Sequence, residues 1–135
     1  ELRKVTDPLA SRVKFETIEF DNGKSSLKKE MYADLNKIVN FLYDNPDFKL
    51  RISGHTDSYG SNDFNLQLSK ERAKNIRDYM VDFAGVSPDR VEWEGYGSTK
   101  PIIVEDTEEA KAINRRVEFE IYREGSQAVE EEEGN

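Results

Sequence analysis

The chain has 135 residues, 28 acidic against 20 basic side chains, a formal net charge of −8 and no cysteine. That length suits one domain with a core of its own. An acidic balance lacks the field that grips a phosphate backbone, so nucleic acid and anionic membrane are poor partners; without cysteine, disulfides and thiolate metal sites are excluded. No apolar run reaches the ~18 residues of a membrane helix. The opening "ELRKVTDPLA" has no apolar leader and no initiator methionine, so the chain reads as a fragment or mature piece of something longer.

Residues 1–12 show no period and read as a lead-in. "RVKFETIEF" alternates through Val13 and Phe15, then through Ile18 and Phe20. The phase slips at Thr17, which predicts a strand with a bulge. "DNGK" is a turn. Leu27, Met31, Leu35, Ile38 and Leu42 then recur along one helical face, with Ser25 or Ser26 as cap and Asn45-Pro46 as stop. "FKLRIS" is a second strand, with Phe48, Leu50 and Ile52 on its buried face. A long helix is predicted from Asn62 to Ala84, capped by Ser61 and stopped by Gly85. "VEWEGYG" is a third strand. "STKPIIVEDTEEAKAI" is a connection with room for a short helix. "RRVEFEIYR" is a fourth strand, with Val117, Phe119 and Ile121 inward. The tail, 125–135, ends in four consecutive glutamates and a Gly-Asn and is expected to be disordered. This order predicts an α/β (α+β) two-layer sandwich, βαβαββ, with a mixed four-stranded sheet covered by two main helices on one face.

The residues with chemistry cluster at one handover. "SGHTDSYGSND" joins the second strand to the long helix and holds His55, the sole histidine. Arg72 lies on the core-facing stripe of that helix, where an unpartnered charge is costly. Asp57 is its nearest candidate partner. The pair can be an ion pair tying loop to helix. It can equally face a pocket and bind both ends of a zwitterion, since a guanidinium fork suits a carboxylate and a carboxylate suits an ammonium. Asp21 and Asn22 share that sheet edge if the first two strands run parallel. With no serine elbow and no second histidine, His55 is read as a polar strand-end residue bonding to nearby backbone rather than as a catalyst or metal ligand. "NRR", before the last strand, is either an anion clamp or a surface pair balancing Glu118 and Glu120.

Taken together, these motifs resemble OmpA-like peptidoglycan-binding domains. The signature reads Gly54-His55-Thr56-Asp57, Gly60, then Asn65-Leu66-Gln67-Leu68-Ser69-Lys70-Glu71-Arg72-Ala73, flanked by "FDNGKSSL", "GYGSTKP" and "NRRVEF". The resemblance spans about 13–123 and places the domain at 13–124. It implies a non-catalytic module, without cofactor or metal, that grips meso-diaminopimelate in the peptidoglycan stem. Asp57 would hold the ammonium and Arg72 the carboxylate. Thr56, Asp21, Asn22, Asn65, Leu68 and Arg116 complete the expected ligand-binding set. The implied setting is a Gram-negative periplasm, with the domain attached to an outer-membrane barrel, a lipid anchor or another membrane segment. The sequence departs from the pattern at Gly23, where relatives often carry a polar residue, and at Lys111, which replaces an arginine and is left outside the expected site.

Overall fold

The computed structural model describes residues 12–123. The acidic tail and, residue 12 apart, the lead-in lie outside the described residues. β1 (Arg12–Glu19) pairs with β4 (Arg116–Arg123), and the register shifts between Phe15 and Ile18, where the phase break at Thr17 predicts a bulge. The remaining strands are β2 (Phe48–Gly54) and β3 (Val91–Gly95). They form one sheet in the order β1-β4-β2-β3, with β4 antiparallel to β1 and β2, and β3 parallel to β2. β1, β2 and β3 therefore run the same way and end at the same edge.

α1 (Tyr32–Asp44) buries Leu35, Ile38 and Leu42 as its periodicity requires. Its start differs from expectation. Neither Ser25 nor Ser26 caps it; a 3-10 turn, Lys29–Met31, leads in instead. The reason is tertiary. The carbonyls of Lys24 and Ser25 accept from Arg72 and Asn75, which pins this stretch against the long helix and delays coiling. At the other end Arg90 donates to the carbonyls of Leu42 and Asn45, closing α1 with a cation where its dipole is negative.

α2 (Asn62–Asp78) begins at Ser61, whose hydroxyl accepts from the Phe64 amide at 3.1 Å. It does not run unbroken to Ala84. Tyr79–Phe83 form a π-helical turn, closed by the Ala84 amide donating to the Tyr79 carbonyl. Met80 is buried within that turn and Phe83 is exposed. The helix stops at Gly85, whose φ of +80° suits glycine. The connection after β3 contains a short helix, α3 (Glu108–Asn114), capped by Thr107.

Residues of α1, α2 and the sheet share one apolar core, with Ile38, Leu42, Ile76, Ile52 and Phe119 among its most buried members. The opposite face of the sheet is polar. There Arg51 bridges Glu92 and Glu120, each at 3.1 Å, and lies over the Tyr122 ring. Charges on β2 and β4, the inner strands, are thus paired rather than covered.

α2 lies very close to the sheet. A β-carbon at Gly54 would collide with the Ser69 carbonyl, and one at Gly95 with the Lys70 amide and Ser69 hydroxyl. Both clashes involve α2 at the turn before Arg72. Gly54→Ala is accordingly expected to cost about 3 kcal/mol by forcing the helix off the strand. A urea midpoint equal to wild type would show that the helix can move aside without loss.

Candidate functional site

Past Gly54 the chain stays buried through His55, Thr56 and Asp57 before it reaches the surface at Ser58. The Thr56 amide donates to the Gly97 carbonyl and its hydroxyl to the Asp57 carbonyl, so this strand end is held by backbone. Asp57 faces a cleft of about 450 Å³. One oxygen, Oδ1, accepts from the Tyr59 amide at 3.0 Å; Oδ2 accepts from Arg115 Nη1 at 2.9 Å.

Arg72 reaches the same cleft from α2, yet it is almost wholly enclosed. Nε donates to the Lys24 carbonyl at 2.7 Å, Nη1 to the His55 carbonyl at 2.9 Å and Nη2 to the Asp21 carbonyl at 2.9 Å. Its guanidinium also lies over the Phe20 ring. Each Nη keeps one further N–H. Burial lowers its pKa from 12.5 to about 10; Asp57 opposes the fall, Arg115 adds to it, and Asp21 opposes it more weakly. The group is still a cation at neutral pH.

Of the two readings open for Asp57 and Arg72, the direct ion pair does not form. Arg115 is the partner of Asp57, and Arg72 is held by three carbonyls from two connecting segments. Asn22, Thr56, Asn65 and Leu68 line the cleft with them. Asn65 is 2% exposed, and its Nδ2 has no hydrogen-bond partner. A buried amide donor with nothing to donate to is unusual in a finished core.

Two expected residues are elsewhere. The Asp21 side chain is largely exposed and paired with Lys28 at 3.0 Å, so Asp21 serves the cleft only through its carbonyl. Arg116 does not line the cleft. It donates to Glu118 and to the carbonyls of Asn114 and Lys100. The physical reason is strand parity. Arg116 shares a face with Glu118 and Glu120, whereas Arg115 has the parity of Val117, Phe119 and Ile121 and turns toward the helices. That alternation was the available signal for Arg115, which sequence reasoning missed.

His55 also differs from expectation. Its backbone amide donates to the Arg116 carbonyl, but neither ring nitrogen has a hydrogen-bond partner. The ring stacks on Tyr96, with Nε2 3.9 Å from a Glu118 oxygen, and is 2% exposed. Burial lowers its pKa from 6.5 to about 4; Arg116 and Lys100 push the same way and Glu118 opposes them. The unfolded chain therefore takes up a proton below pH ~6.5 that the folded chain refuses until about pH 4. Stability present above 6.5 is lost as pH falls through this window, by on the order of 3 kcal/mol. His55→Gln should flatten that slope in urea titrations run between pH 4 and 6.5. Parallel slopes in the two proteins would mean that other groups carry the dependence.

The OmpA family matches residues 19–115. Outer membrane porin F of Pseudomonas aeruginosa is 40% identical over 107 residues, covering 79% of this chain and 31% of the porin. The peptidoglycan-binding protein ArfA of Mycobacterium tuberculosis is 41% identical over 102 residues, covering 76% of this chain and 31% of ArfA. The chain thus spans about a third of the length of these relatives. Among solved structures, the peptidoglycan-associated lipoprotein from Burkholderia pseudomallei superposes with a TM-score of 0.75 at 28% identity, over 89% of this chain and 98% of that one. The C-terminal domain of Helicobacter pylori MotB shares the fold, with a TM-score of 0.73 at 22% identity, over 90% and 98% of the two chains. Every residue lining the cleft falls inside the family match, which covers most of the sequence, and the chain belongs to the OmpA family.

Proposed function

We propose that the domain is a non-catalytic module that binds peptidoglycan through the meso-diaminopimelate of the stem peptide. Asp57 takes the ammonium of the diamino acid, and the remaining Nη protons of Arg72 take its carboxylate. Asn65 Nδ2 supplies a second donor to that carboxylate. Thr56 and Asn22 border the head group, and Leu68 packs against its methylene chain. The observation that carries this reading is a single cleft holding a buried carboxylate, a buried guanidinium and an orphan amide donor. A carboxylate and a guanidinium lining one cleft, with Arg115 beside them, offer complementary charge to both ends of a zwitterion. The Thr56 hydroxyl is engaged by backbone, and the His55 ring does not line the cleft.

The printed names of ArfA, peptidoglycan-binding, and of the Burkholderia lipoprotein, peptidoglycan-associated, support the same ligand. The porin relative supports a place in the envelope. On this reading the domain sits in the periplasm of a Gram-negative cell. It tethers an outer-membrane barrel, a lipid anchor or another membrane segment of its full-length protein to the wall.

The test is a comparison of stems. A soluble tripeptide ending in meso-diaminopimelate should bind about tenfold to a hundredfold tighter than its lysine analogue, because lysine lacks the carboxylate beside the side-chain amine that Arg72 and Asn65 would receive (~1–3 kcal/mol). Equal affinities in calorimetry would reject the assignment.

A further inference from the structure

The cleft does not end at Asp57. A second lobe of about 210 Å³ shares Asn22, Asp57, Tyr59 and Arg115 with the first and adds Glu108 and Lys111 from α3. The Asp57–Arg115 pair is the ridge between the lobes, and a ligand seated on one lobe has the other within reach. The geometry points to the second lobe as a subsite for a second carboxylate of the same ligand, with Lys111 as its cation. This rests on the stem-peptide reading and deepens it.

The charges of the second lobe sort into engaged and available groups. Asp57 is occupied by Arg115 and the Tyr59 amide. Glu105, nearby in sequence to α3, is held by the Ser58 amide and hydroxyl and by Asn114. Lys111 is held more weakly. Its ion-pair partner is Glu108 at 3.4 Å, one turn back on the same short helix, with a side chain 81% exposed, and Glu105 lies near enough to feel its charge. A surface pair of that kind contributes little and is readily exchanged for a better-placed anion. Lys111 and Arg115 are also one turn apart, since the Arg115 amide donates to the Lys111 carbonyl at 3.2 Å. One turn of α3 thus delivers a cation to the ridge and a cation beyond it.

The ligand chemistry follows from the adjacency of the lobes, which have Asn22, Asp57, Tyr59 and Arg115 in common. We assign the second carboxylate to the residue next to the diamino acid in the stem, because the diamino acid's own chain carboxyl is consumed as a peptide bond wherever the stem continues past it. That residue is a γ-linked D-glutamate, whose α-carboxyl is either a free acid or an amide. A lysine tells these apart, because an ammonium is attracted to the carboxylate and gains little from the neutral amide. The preferred ligand is therefore the non-amidated stem. Lysine also explains how this position can act without a guanidinium fork: a single carboxylate at a partly open rim asks for a mobile point charge rather than bidentate geometry.

Calorimetry on the 135-residue chain tests this with two tripeptides ending in meso-diaminopimelate, one with the free D-glutamate carboxyl and one with its amide. The wild type should prefer the acid about tenfold. Lys111→Gln should bind the two alike. Glu108→Gln, which removes the competing anion, should widen the preference for the acid. Equal binding of both peptides by the wild type overturns the subsite while leaving the diaminopimelate site standing. A preference that survives in Lys111→Gln also overturns it. Binding of neither peptide overturns the subsite together with the reading on which it rests.

Discussion

Replacing Arg72 by alanine is expected to lower the free energy of unfolding by about 3–5 kcal/mol, whether or not a ligand is present. The guanidinium holds the carbonyls of Asp21, Lys24 and His55, and the side chain is among the largest of the almost wholly enclosed ones among the described residues. Truncation strands those three acceptors and leaves a void beneath the turn that follows β1. Against a total stability of about 5–15 kcal/mol for a domain, such a loss is severe. Arg72→Lys should recover only part of it, because an ammonium cannot point at three carbonyls spread around a planar fork. Urea unfolding with unchanged m-value and a lower midpoint is the signature. A midpoint for Arg72→Ala equal to wild type would mean that water satisfies the three carbonyls. The consequence for function is direct: loss of binding in an Arg72 variant cannot by itself separate a ligand contact from a collapsed cleft.

Asp57→Asn separates them. The amide has the same shape and can still accept from the Tyr59 backbone, so the turn is kept. What goes is the negative charge, and with it the ion pair to Arg115. With Asp57 in the proposed role of ammonium acceptor, removing its charge is expected to cost at least about 2 kcal/mol, or about 30-fold in affinity. The stability cost should be smaller, about 1–3 kcal/mol for one charged hydrogen bond. Retention on isolated sacculi and calorimetry with the diaminopimelate tripeptide measure the first effect; thermal unfolding measures the second. A folded Asp57→Asn protein that binds as tightly as wild type would remove Asp57 from the site.

The two predictions differ because local pattern and tertiary contact carry different information. Periodicity in the sequence was sufficient for the four strands, for both long helices and for the bulge at Thr17, since each depends on which way successive side chains point. The same parity, followed two residues further back from Val117, would have turned Arg115 toward the cleft and Arg116 away from it. Asp57 and Arg72 were legible as neighbours because a strand end and the helix it feeds must lie side by side, whereas Thr56, Asn65 and Leu68 joined them only through the resemblance to OmpA-like domains. The start of α1 was not legible, for the Lys24 and Ser25 carbonyls are pinned from a helix some fifty residues away in the chain.

What the sequence by itself determined, then, is the set of elements, the face each one buries and the edge where charged residues gather. These follow from spacing along the chain. The tertiary structure alone decided that β4 inserts between β1 and β2, that Arg115 rather than Arg72 neutralises Asp57, and that Arg72 is bound to backbone before any ligand arrives. It also decided that a second lobe opens beside α3. Each of these is a choice among partners far apart in sequence. Spacing says that a buried guanidinium must find acceptors; only the folded chain determines which carbonyls or carboxylates stand within 3 Å of it.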